Sequence, residues 1–571
     1  MATRTEAQTP VRPSPVAPHR GLRREIGFIG LLWASGGSII GSGWLFGAQG
    51  ALESAGPAAV ISWCIGAVAI LLLALVHAEL GGMYPVAGGT ARFPHYAFGG
   101  AAGASFGWFS WLQAATVAPI EVMAMIQYGQ HYSFAKHWMR LRGTPPQHVL
   151  TPSGIAAAVV LMAIFTSINF LGVRKLAHTN SAATWWKIGV PLLTIFVLGI
   201  VNFHGGNFTA ANGFNPYGAK GILAAVSTSG IIFALLGFEQ ADQLAGESAN
   251  PKRDIPRAVI MSVIIGAIIY IALQVVFLGA LPSSQIHGTW AKAAYTSLTG
   301  PFAQVASLVA VGWLATILYI DAIISPGGTG LIYTTSTSRV SYGLSRNGYV
   351  PTAYEATTGR GVPWFGLITA FVVGCICFLP FPSWRSLVGL ITAASVLMYA
   401  GAPLSFGAFR RRLPHVERPY VAPFGEVLAP LSFIVANLLI LWSGWTTDWK
   451  LGVAILIGYL ILVLNRALGM NEVKPVLDWK AASWLLPYLL GMGAIVYLSD
   501  FGPLKHPVFP LWWDIVAVAV WSVVIYAWAM RVALSRERIE EMIGDVYIAE
   551  TDADVAMSRD PQLDARGGSP A

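Results

Sequence analysis

The chain alternates long apolar stretches with short polar connections along almost its whole length. A helix of about 20 mostly apolar residues crosses the hydrocarbon core of a bilayer, and fourteen stretches meet this requirement. They lie near residues 27–50, 57–82, 103–132, 153–172, 183–203, 221–244, 258–281, 303–338, 364–381, 386–408, 426–445, 450–467, 482–498 and 511–532. The pattern predicts an all-α polytopic membrane protein with about fourteen transmembrane helices.

Composition supports this prediction. The 571 residues are 55% hydrophobic and only 11% charged, whereas soluble domains carry about 25% charged residues. A soluble multidomain enzyme, a disordered chain and a disulfide scaffold are therefore excluded. The three cysteines, Cys64, Cys375 and Cys377, lie in apolar stretches without the spacing of a metal or redox motif. We expect them to be small buried hydrophobic residues.

The formal net charge of +8 is explained by topology. Membrane proteins concentrate Lys and Arg in their cytoplasmic loops. If the N-terminus is cytoplasmic, 26 of the 35 cations fall on its side, eight on the other side, and Lys187 inside a span. The outer residues Lys136, Arg140 and Arg142 are the exception. The bias predicts both termini in the cytoplasm, an inner (plasma) membrane location, and no nucleic-acid partner.

Two of the predicted spans contain segments that are poor helix formers. The first span carries four glycines and two serines over residues 36–43, and the sixth carries Gly237-Phe238-Glu239. Each glycine costs about 1 kcal/mol relative to alanine in a helix. Interrupted helices five spans apart are typical of inverted-repeat transporters, whose free N–H groups attract a carboxylate and free carbonyls an ammonium. Close packing through small residues is the alternative interpretation of the first segment.

These segments resemble the amino acid–polyamine–organocation (APC) superfamily of permeases. The similarity covers roughly residues 24–410, with motifs in the family's order. It is carried by Gly37-Ser38-Ile39-Ile40-Gly41-Ser42-Gly43, Ala78-Glu79-Leu80, Pro85 with Gly88-Gly89, Gly237-Phe238-Glu239, Glu247, Asn250-Pro251, Ile255-Pro256-Arg257, Ser338-Arg339 to Gly348, and Val350-Pro351. Within the superfamily, the chain is most similar to bacterial members described as aspartate–proton symporters.

The resemblance implies a five-plus-five inverted-repeat (LeuT/APC-like) core with discontinuous helices 1 and 6, which transports an amino acid by alternating access. It divides the chain into a disordered cytoplasmic N-terminus (1–22), a core of helices 1–10 (23–410), peripheral helices 11–14 (411–532) and a cytoplasmic tail (533–571). The implied substrate-binding residues are Ile39, Ser42, Gly43, Phe233, Leu236, Glu239 and Thr329. Thr329 stands where a related antiporter has an aromatic clamp, which argues against that antiporter's specificity for cationic substrates.

Ionisable residues inside spans are costly and therefore indicate function. Lys187 lies in the fifth span, where the resemblance implies that a lysine replaces a sodium ion. Desolvation favours a neutral lysine, so Lys187 could release and rebind a proton; alternatively, it only tethers helices 1, 5 and 8. Glu121 and Asp321 could each bind a substrate ammonium, carry a proton or serve packing. Glu239, which combines a predicted break with a family motif, is a further candidate for proton coupling, so the predicted coupling residues are Lys187, Glu121, Glu239 and Asp321. Glu79 fits a structural role.

The leading functional hypothesis is proton-coupled amino-acid symport, with aspartate or another acidic amino acid as a candidate substrate. An exchanger of amino acids or amines is the alternative of the same class. The sequence lacks the HExxH, GxSxG and metal-cluster patterns of a membrane-embedded enzyme, and a transporter-like sensor would carry a long soluble domain. We expect no metal and no cofactor, with the proton gradient as the energy source. Substrate identity, stoichiometry and oligomeric state are left open.

Overall fold

The computed structural model describes residues 26–544, except 86–88, 144–145, 172, 287, 293–297 and 360. The predicted disordered segment 1–22 and most of the predicted tail lie outside the described residues. The first ten α-helices are α1 (Phe28–Ile39), α2 (Gly43–Ala55), α3 (Ala59–Met83), α4 (Gly89–Phe98), α5 (Gly100–Gly129), α6 (Pro152–Phe170), α7 (Val173–Val201), α8 (Gly218–Thr228), α9 (Ile231–Leu235) and α10 (Gln240–Gln243). The following ones are α11 (Pro251–Ala280), α12 (Pro301–Leu308), α13 (Gly312–Arg346), α14 (Trp364–Cys377), α15 (Trp384–Arg412), α16 (Gly425–Ser443), α17 (Trp445–Ala467), α18 (Leu485–Leu498) and α19 (Trp513–Val532).

Within this part of the chain, ten helical stretches are long and apolar enough to cross a membrane. Three further apolar helices, α1, α14 and α18, are 12 to 14 residues long. The predicted polytopic all-α membrane protein is therefore confirmed. The predicted span near 303–338 differs in detail, because it is divided between α12 and α13 at Ala310, whose φ is +61°.

The bundle has two charged ends, which we name after one arginine each. At the Arg410 end, Glu79 of α3 accepts hydrogen bonds from Arg410 and Arg418. At the Arg385 end, Glu53 of α2 forms an ion pair with Arg385 at 2.7 Å. Between these ends α3 packs on α11, α5 packs on α13, and α15 contacts α5, α4 and α16. The most apolar stretch of α15 is completely buried, so this helix lies at the centre of the fold.

The helices after α15 cover the core from one side. α16 packs on α15 and α19, while α17 contacts α15 and α5. Much of α17 lies at the surface, where its exposed large apolar side chains include Leu456, Ile457, Leu460 and Val463. An apolar exposed face of this kind suits contact with lipid. Cys64 is likewise exposed on α3, so the expectation that all three cysteines are buried is wrong for this residue.

A hairpin that the apolar pattern did not predict joins α5 to α6. Strand β1 (Met139–Arg142) pairs antiparallel with β2 (Gln147–Leu150), with Met139 opposite Leu150. The Leu150 N–H also donates to the Pro382 carbonyl, before α15. Arg140 and Arg142, two of the three exceptions to the charge bias, lie on this hairpin. Short strands lack the long apolar run that marks a membrane span, so the pattern of apolar residues did not predict this hairpin.

Glu79 joins three parts of the chain at the Arg410 end. Its carboxylate is 1% exposed and accepts from Arg410 Nη2 at 2.6 Å, from Arg418 Nε at 3.2 Å and from the Ala422 N–H at 2.8 Å. A buried carboxylate held by charged donors on another helix and its following loop fits the predicted structural role.

We therefore expect Glu79→Gln to destabilise the protein. Removing one partner of a buried ion pair costs roughly 3–5 kcal/mol, because the remaining charges stay buried without compensation. Thermal unfolding of the detergent-solubilised protein measures this as a lower Tm. Glu417→Gln is the control, because its exposed pair with Lys252 contributes at most about 1 kcal/mol. Equal Tm values for the two variants would contradict the structural role.

Candidate functional site

The first helix is interrupted in the middle of the bundle. α1 ends at Ile39 and α2 begins at Gly43, so residues 40–42 connect two helices with free backbone groups. The Tyr270 hydroxyl donates to the Ile39 carbonyl at 2.8 Å, and the Ser42 N–H donates to Glu121 Oε2 at 2.8 Å. The free carbonyls of α1 therefore face donors, whereas the start of α2 faces a carboxylate, as the partial charges of helix ends require.

A second helix break, between α9 and α10, contacts the first break. Helix α9 ends at Leu235 and α10 begins at Gln240, and the connecting Gly237 has a φ of +123°. A Cβ on Gly237 would lie 2.7 Å from the Ile39 nitrogen, a backbone atom. Ser35 Oγ donates to the Phe238 carbonyl at 3.1 Å and accepts from the Ala241 N–H at 3.2 Å. The two breaks thus touch backbone to backbone, which only glycine allows at this position.

Gly237→Ala is expected to abolish transport. The added methyl group would collide with backbone that cannot move aside without separating the two breaks, and the positive φ costs an L-residue roughly 1–2 kcal/mol more. Gly213→Ala provides a matched control, because Gly213 also has a positive φ of +89° but no atom within 4 Å of its Cβ position. Uptake by both variants in vesicles, scaled to folded protein, measures the difference. Normal uptake by Gly237→Ala would show that the close approach is dispensable.

Lys187 lies between the first break and α13. It is completely buried, and its Nζ donates to the Gly37 carbonyl at 2.7 Å and to Thr329 Oγ1 at 2.8 Å. The Thr329 hydroxyl lies 3.2 Å from the same Gly37 carbonyl. A Cβ on Gly328 would lie 3.0 Å from Lys187 Cε, so the glycine leaves the lysine room to pass α13. The lysine therefore links α7, α1 and α13 through its ammonium group.

Glu121 lies on the other side of the same break. It follows Pro119 on α5 and is completely buried. Its Oε2 holds the Ser42 N–H, and its Oε1 has no hydrogen-bond partner among the described residues. A Cβ on Gly41 would lie 2.6 Å from Oε1 and 3.0 Å from Thr329 Oγ1. Gly41 thus lies between the Glu121 carboxylate and the Lys187–Thr329 pair, and the space between these groups is too small for a side chain on residue 41.

A small cavity opens beside these groups, with space for about one water-sized molecule. Its lining residues are Ser38, Ile39, Gly41, Gly43, Val117, Glu121, Phe233, Leu236, Thr329 and Tyr333. Five of the seven predicted substrate-binding residues line this cavity. Ser42 lies behind it, and Glu239 reaches it only through the Tyr333 hydroxyl, which donates to Glu239 Oε1 at 2.8 Å. The residues that line the cavity must move apart before an amino acid can fit.

Glu239 is held by donors from three other helices and from its own helix break. Oε1 accepts from Gln113 Nε2 at 3.2 Å as well as from Tyr333, and Oε2 accepts from the Tyr399 hydroxyl at 2.5 Å and the Gly237 N–H at 2.9 Å. Glu239 therefore connects the second break to α5, α13 and α15.

Asp321 lies apart from the cavity, eight residues before Thr329 on α13. Its Oδ1 accepts from Trp186 Nε1 at 2.9 Å and from Ser325 Oγ at 2.7 Å. Ser325 lies one turn from both Asp321 and Thr329, so α13 carries a row of polar groups towards Lys187. The structure thus places both Glu121 and Asp321 within electrostatic reach of Lys187, with Asp321 about two turns from Thr329 along α13.

Aromatic residues close the cavity towards the Arg385 end. Trp384 Nε1 donates to Ser42 Oγ at 3.0 Å, and the Trp384 ring packs on Phe46 and Phe233 with centroids 5.0 and 5.9 Å apart. Arg385 Nη2 also donates to the Gly50 carbonyl at 3.0 Å. Sequence reasoning missed Trp384, Tyr333 and Tyr399. No local signal separates them from the other aromatic residues of apolar helices.

The chain is similar in sequence to known transporters. Residues 26–474 match the amino acid permease family. The glutamate/serine transporter AimA of Bacillus subtilis is 37% identical over 91% of this chain and 96% of its own length. The aspartate-proton symporter of the same organism is 34% identical over 88% of this chain and 95% of its own. The branched-chain amino acid permease BcaP, also from B. subtilis, is 27% identical over 78% of this chain. The chain therefore belongs to the amino acid permease family of the APC superfamily, and is a multi-pass membrane transporter of amino acids and not an enzyme.

Proposed function

We propose that the protein is a proton-coupled amino-acid symporter, with the Arg410 end and both termini in the cytoplasm. The observation that supports this most directly is the position of Glu121, whose carboxylate accepts the Ser42 N–H at the start of α2. A free N–H at the start of a broken helix is where a substrate carboxylate binds. Glu121 therefore occupies the place that the substrate carboxylate requires.

Competition for this N–H couples the proton to the substrate. When Glu121 takes up a proton, it loses its negative charge and holds the Ser42 N–H more weakly. The substrate carboxylate can then replace it, and brings a negative charge back beside Lys187. The site stays electrically balanced in two forms: ionised Glu121 without substrate, and protonated Glu121 with substrate. A cycle restricted to these two forms carries one proton with each amino acid.

Lys187 supplies the positive charge for both forms. Its ammonium bonds the Gly37 carbonyl and Thr329 Oγ1, and so ties the mobile break in the first helix to α13. A buried ammonium requires a negative partner. Asp321 also acts on Lys187, but it lies outside the cavity lining, so we assign the exchangeable partner in the site to Glu121 or the bound substrate. On this basis the site alternates between outward and inward access only when one of the two carboxylates is present. Asp321 and Ser325 continue the polar row towards the Arg385 end, where protons would arrive.

The relatives indicate which substrates to test first. Their printed names give glutamate and serine for one, and aspartate with protons for another. The cavity lining offers the hydroxyls of Ser38, Thr329 and Tyr333 to a substrate side chain, which suits a small polar amino acid. We propose aspartate, glutamate and serine as candidate substrates.

Reconstituted vesicles test the proposal. Purified full-length protein in proteoliposomes with an empty interior should accumulate at least one of the three amino acids when the outside is acidic. An entrapped pH dye should report acidification of the interior in step with uptake. Uptake that requires internal amino acid and ignores the pH gradient would instead identify an exchanger.

A further inference from the structure

Asp242 is a buried carboxyl group that the proposed cycle has not yet used. It lies on α10, one helical turn beyond Glu239 towards the Arg410 end, and is 0% exposed. Neither of its carboxyl oxygens has a hydrogen-bond partner among the residues that the structure describes. An unpaired buried carboxylate is strongly disfavoured, so the position of Asp242 next to Glu239 in the core is the feature that needs an explanation.

No ion pair to Asp242 is formed by the residues that the structure describes, although α4, which carries Arg92 and His95, and α11, which carries Lys252 and Arg257, also pack on α10. From α3 it meets the backbone of Gly81, where a Cβ would lie 2.1 Å from Oδ1, and Ile255 of α11 lies against the same position. The charged group that acts on it is Glu239, on its own segment. Glu239 itself accepts four hydrogen bonds, so its oxygens are already occupied. An acid beside Asp242 and no hydrogen-bond donor among the described residues both disfavour a negative charge on the Asp242 carboxyl group.

The two carboxyl groups continue a path from the cavity. Tyr333 lines the cavity and bonds Glu239, and Asp242 follows one turn further along. Beyond Asp242, Glu247 is bonded to Arg339 at 3.2 Å, with 23% and 40% of the two side chains exposed. Titratable side chains therefore extend from the substrate cavity to the surface of the Arg410 end.

We propose that Asp242 is the group that releases the transported proton to the cytoplasm, an inference that rests on the proposed symport. When the Arg410 end opens, α3 and α11 move away from α10 and water reaches the carboxyl group. The O–H bond of Asp242 breaks, and its proton passes to a cytoplasmic water molecule. The Asp242 carboxylate then regains a proton. This proton leaves Glu121 and passes through Tyr333 and Glu239 to Asp242, so each O–H bond that breaks is matched by one that forms. Only the neutral carboxyl can be buried again against Gly81.

Asp242→Asn separates proton release from substrate binding. The amide keeps the shape but cannot ionise, so uptake driven by the pH gradient and the accompanying acidification should fall at least tenfold. Exchange of labelled for unlabelled amino acid at equal pH should stay within twofold of the wild type, because exchange needs no proton release. Asp448→Asn on α17 is the matched control: its two carboxyl oxygens are also buried without a partner among the described residues, but it lies outside the core. It should take up substrate like the wild type.

Two outcomes distinguish this inference from the proposed function. If the wild type shows no proton-coupled uptake, the symport proposal fails. If the wild type couples and Asp242→Asn accumulates substrate and acidifies the interior at the wild-type rate, only the role of Asp242 fails.

A measurement on the wild type keeps the test independent of how well the variant folds. Dicyclohexylcarbodiimide reacts with protonated carboxyl groups in apolar surroundings. Peptide mass spectrometry should find the adduct on Asp242 and not on Glu239, and uptake should be lost with the same time course. Labelling of Glu239 with Asp242 unmodified would overturn the assignment.

Discussion

Proton-driven accumulation by Lys187→Ala is expected to be lost, while exchange at equal pH continues. The ammonium compensates whichever carboxylate occupies the site, and it holds the Gly37 carbonyl and Thr329. Without this positive charge, an ionised Glu121 would be buried without compensation. That costs roughly 3–5 kcal/mol, which corresponds to a factor of about 100 or more in the population of the ionised form. Without the lysine, the buried Glu121 carboxyl stays neutral, so no proton is cycled.

Uptake with an empty interior, together with an entrapped pH dye, measures this effect. Lys220→Ala is the control, because its ammonium is half exposed in a surface pair with Asp500, and its loss should leave coupling intact. If Lys187→Ala takes up substrate at the wild-type rate and still acidifies the interior, Lys187 has no role in proton coupling.

Substrate binding by Glu121→Gln is expected to become independent of pH. In the wild type, ionised Glu121 holds the Ser42 N–H, so protonation must precede substrate binding. Affinity therefore falls as pH rises above the point where Glu121 ionises, by about tenfold per pH unit for one linked proton. The glutamine side chain is neutral at every pH, so the variant should keep the low-pH affinity, exchange substrate and fail to accumulate it against a gradient.

Equilibrium binding of labelled substrate between about pH 5 and pH 8 tests the linkage. Glu53→Gln is the matched control, because Glu53 is also a buried acid in the first span but pairs with Arg385 at the end of the bundle. Its binding should keep the wild-type pH dependence. A Glu121→Gln variant whose affinity still falls with pH would assign the linked proton to another group.

The two predictions separate the roles of one buried pair. Lys187→Ala leaves a carboxyl that no longer ionises, whereas Glu121→Gln leaves a cation that depends on the substrate for its partner. Both variants lose coupling, but only the second is expected to bind substrate equally well at all pH values. That difference distinguishes a proton carrier from a residue that makes proton release possible.

Much of the fold followed from the sequence because the bilayer constrains it. Backbone polar groups that face lipid must be bonded within their own segment, so long apolar runs favour helices. The glycine-rich segment 36–43 and Gly237 stood out because glycine is unfavourable in helices. These two signals, with the lone Lys187 and the scarce acids, located most of the site. The short hairpin and the division between α12 and α13 carried no comparable signal.

The sequence by itself determined that the chain forms a bundle of membrane helices and which few ionisable groups lie within them, and it pointed to two poor helix-forming segments. Only the tertiary structure decided their partners, since a buried charge takes its role from atoms that come from distant parts of the chain. It placed Glu121 on the Ser42 N–H, grouped Lys187 with Thr329 and set Asp321 apart from them. It also revealed Asp242 as a carboxyl group without a partner among the described residues. Composition shows that a charge inside a membrane span is costly, but three-dimensional packing decides whether that charge is compensated.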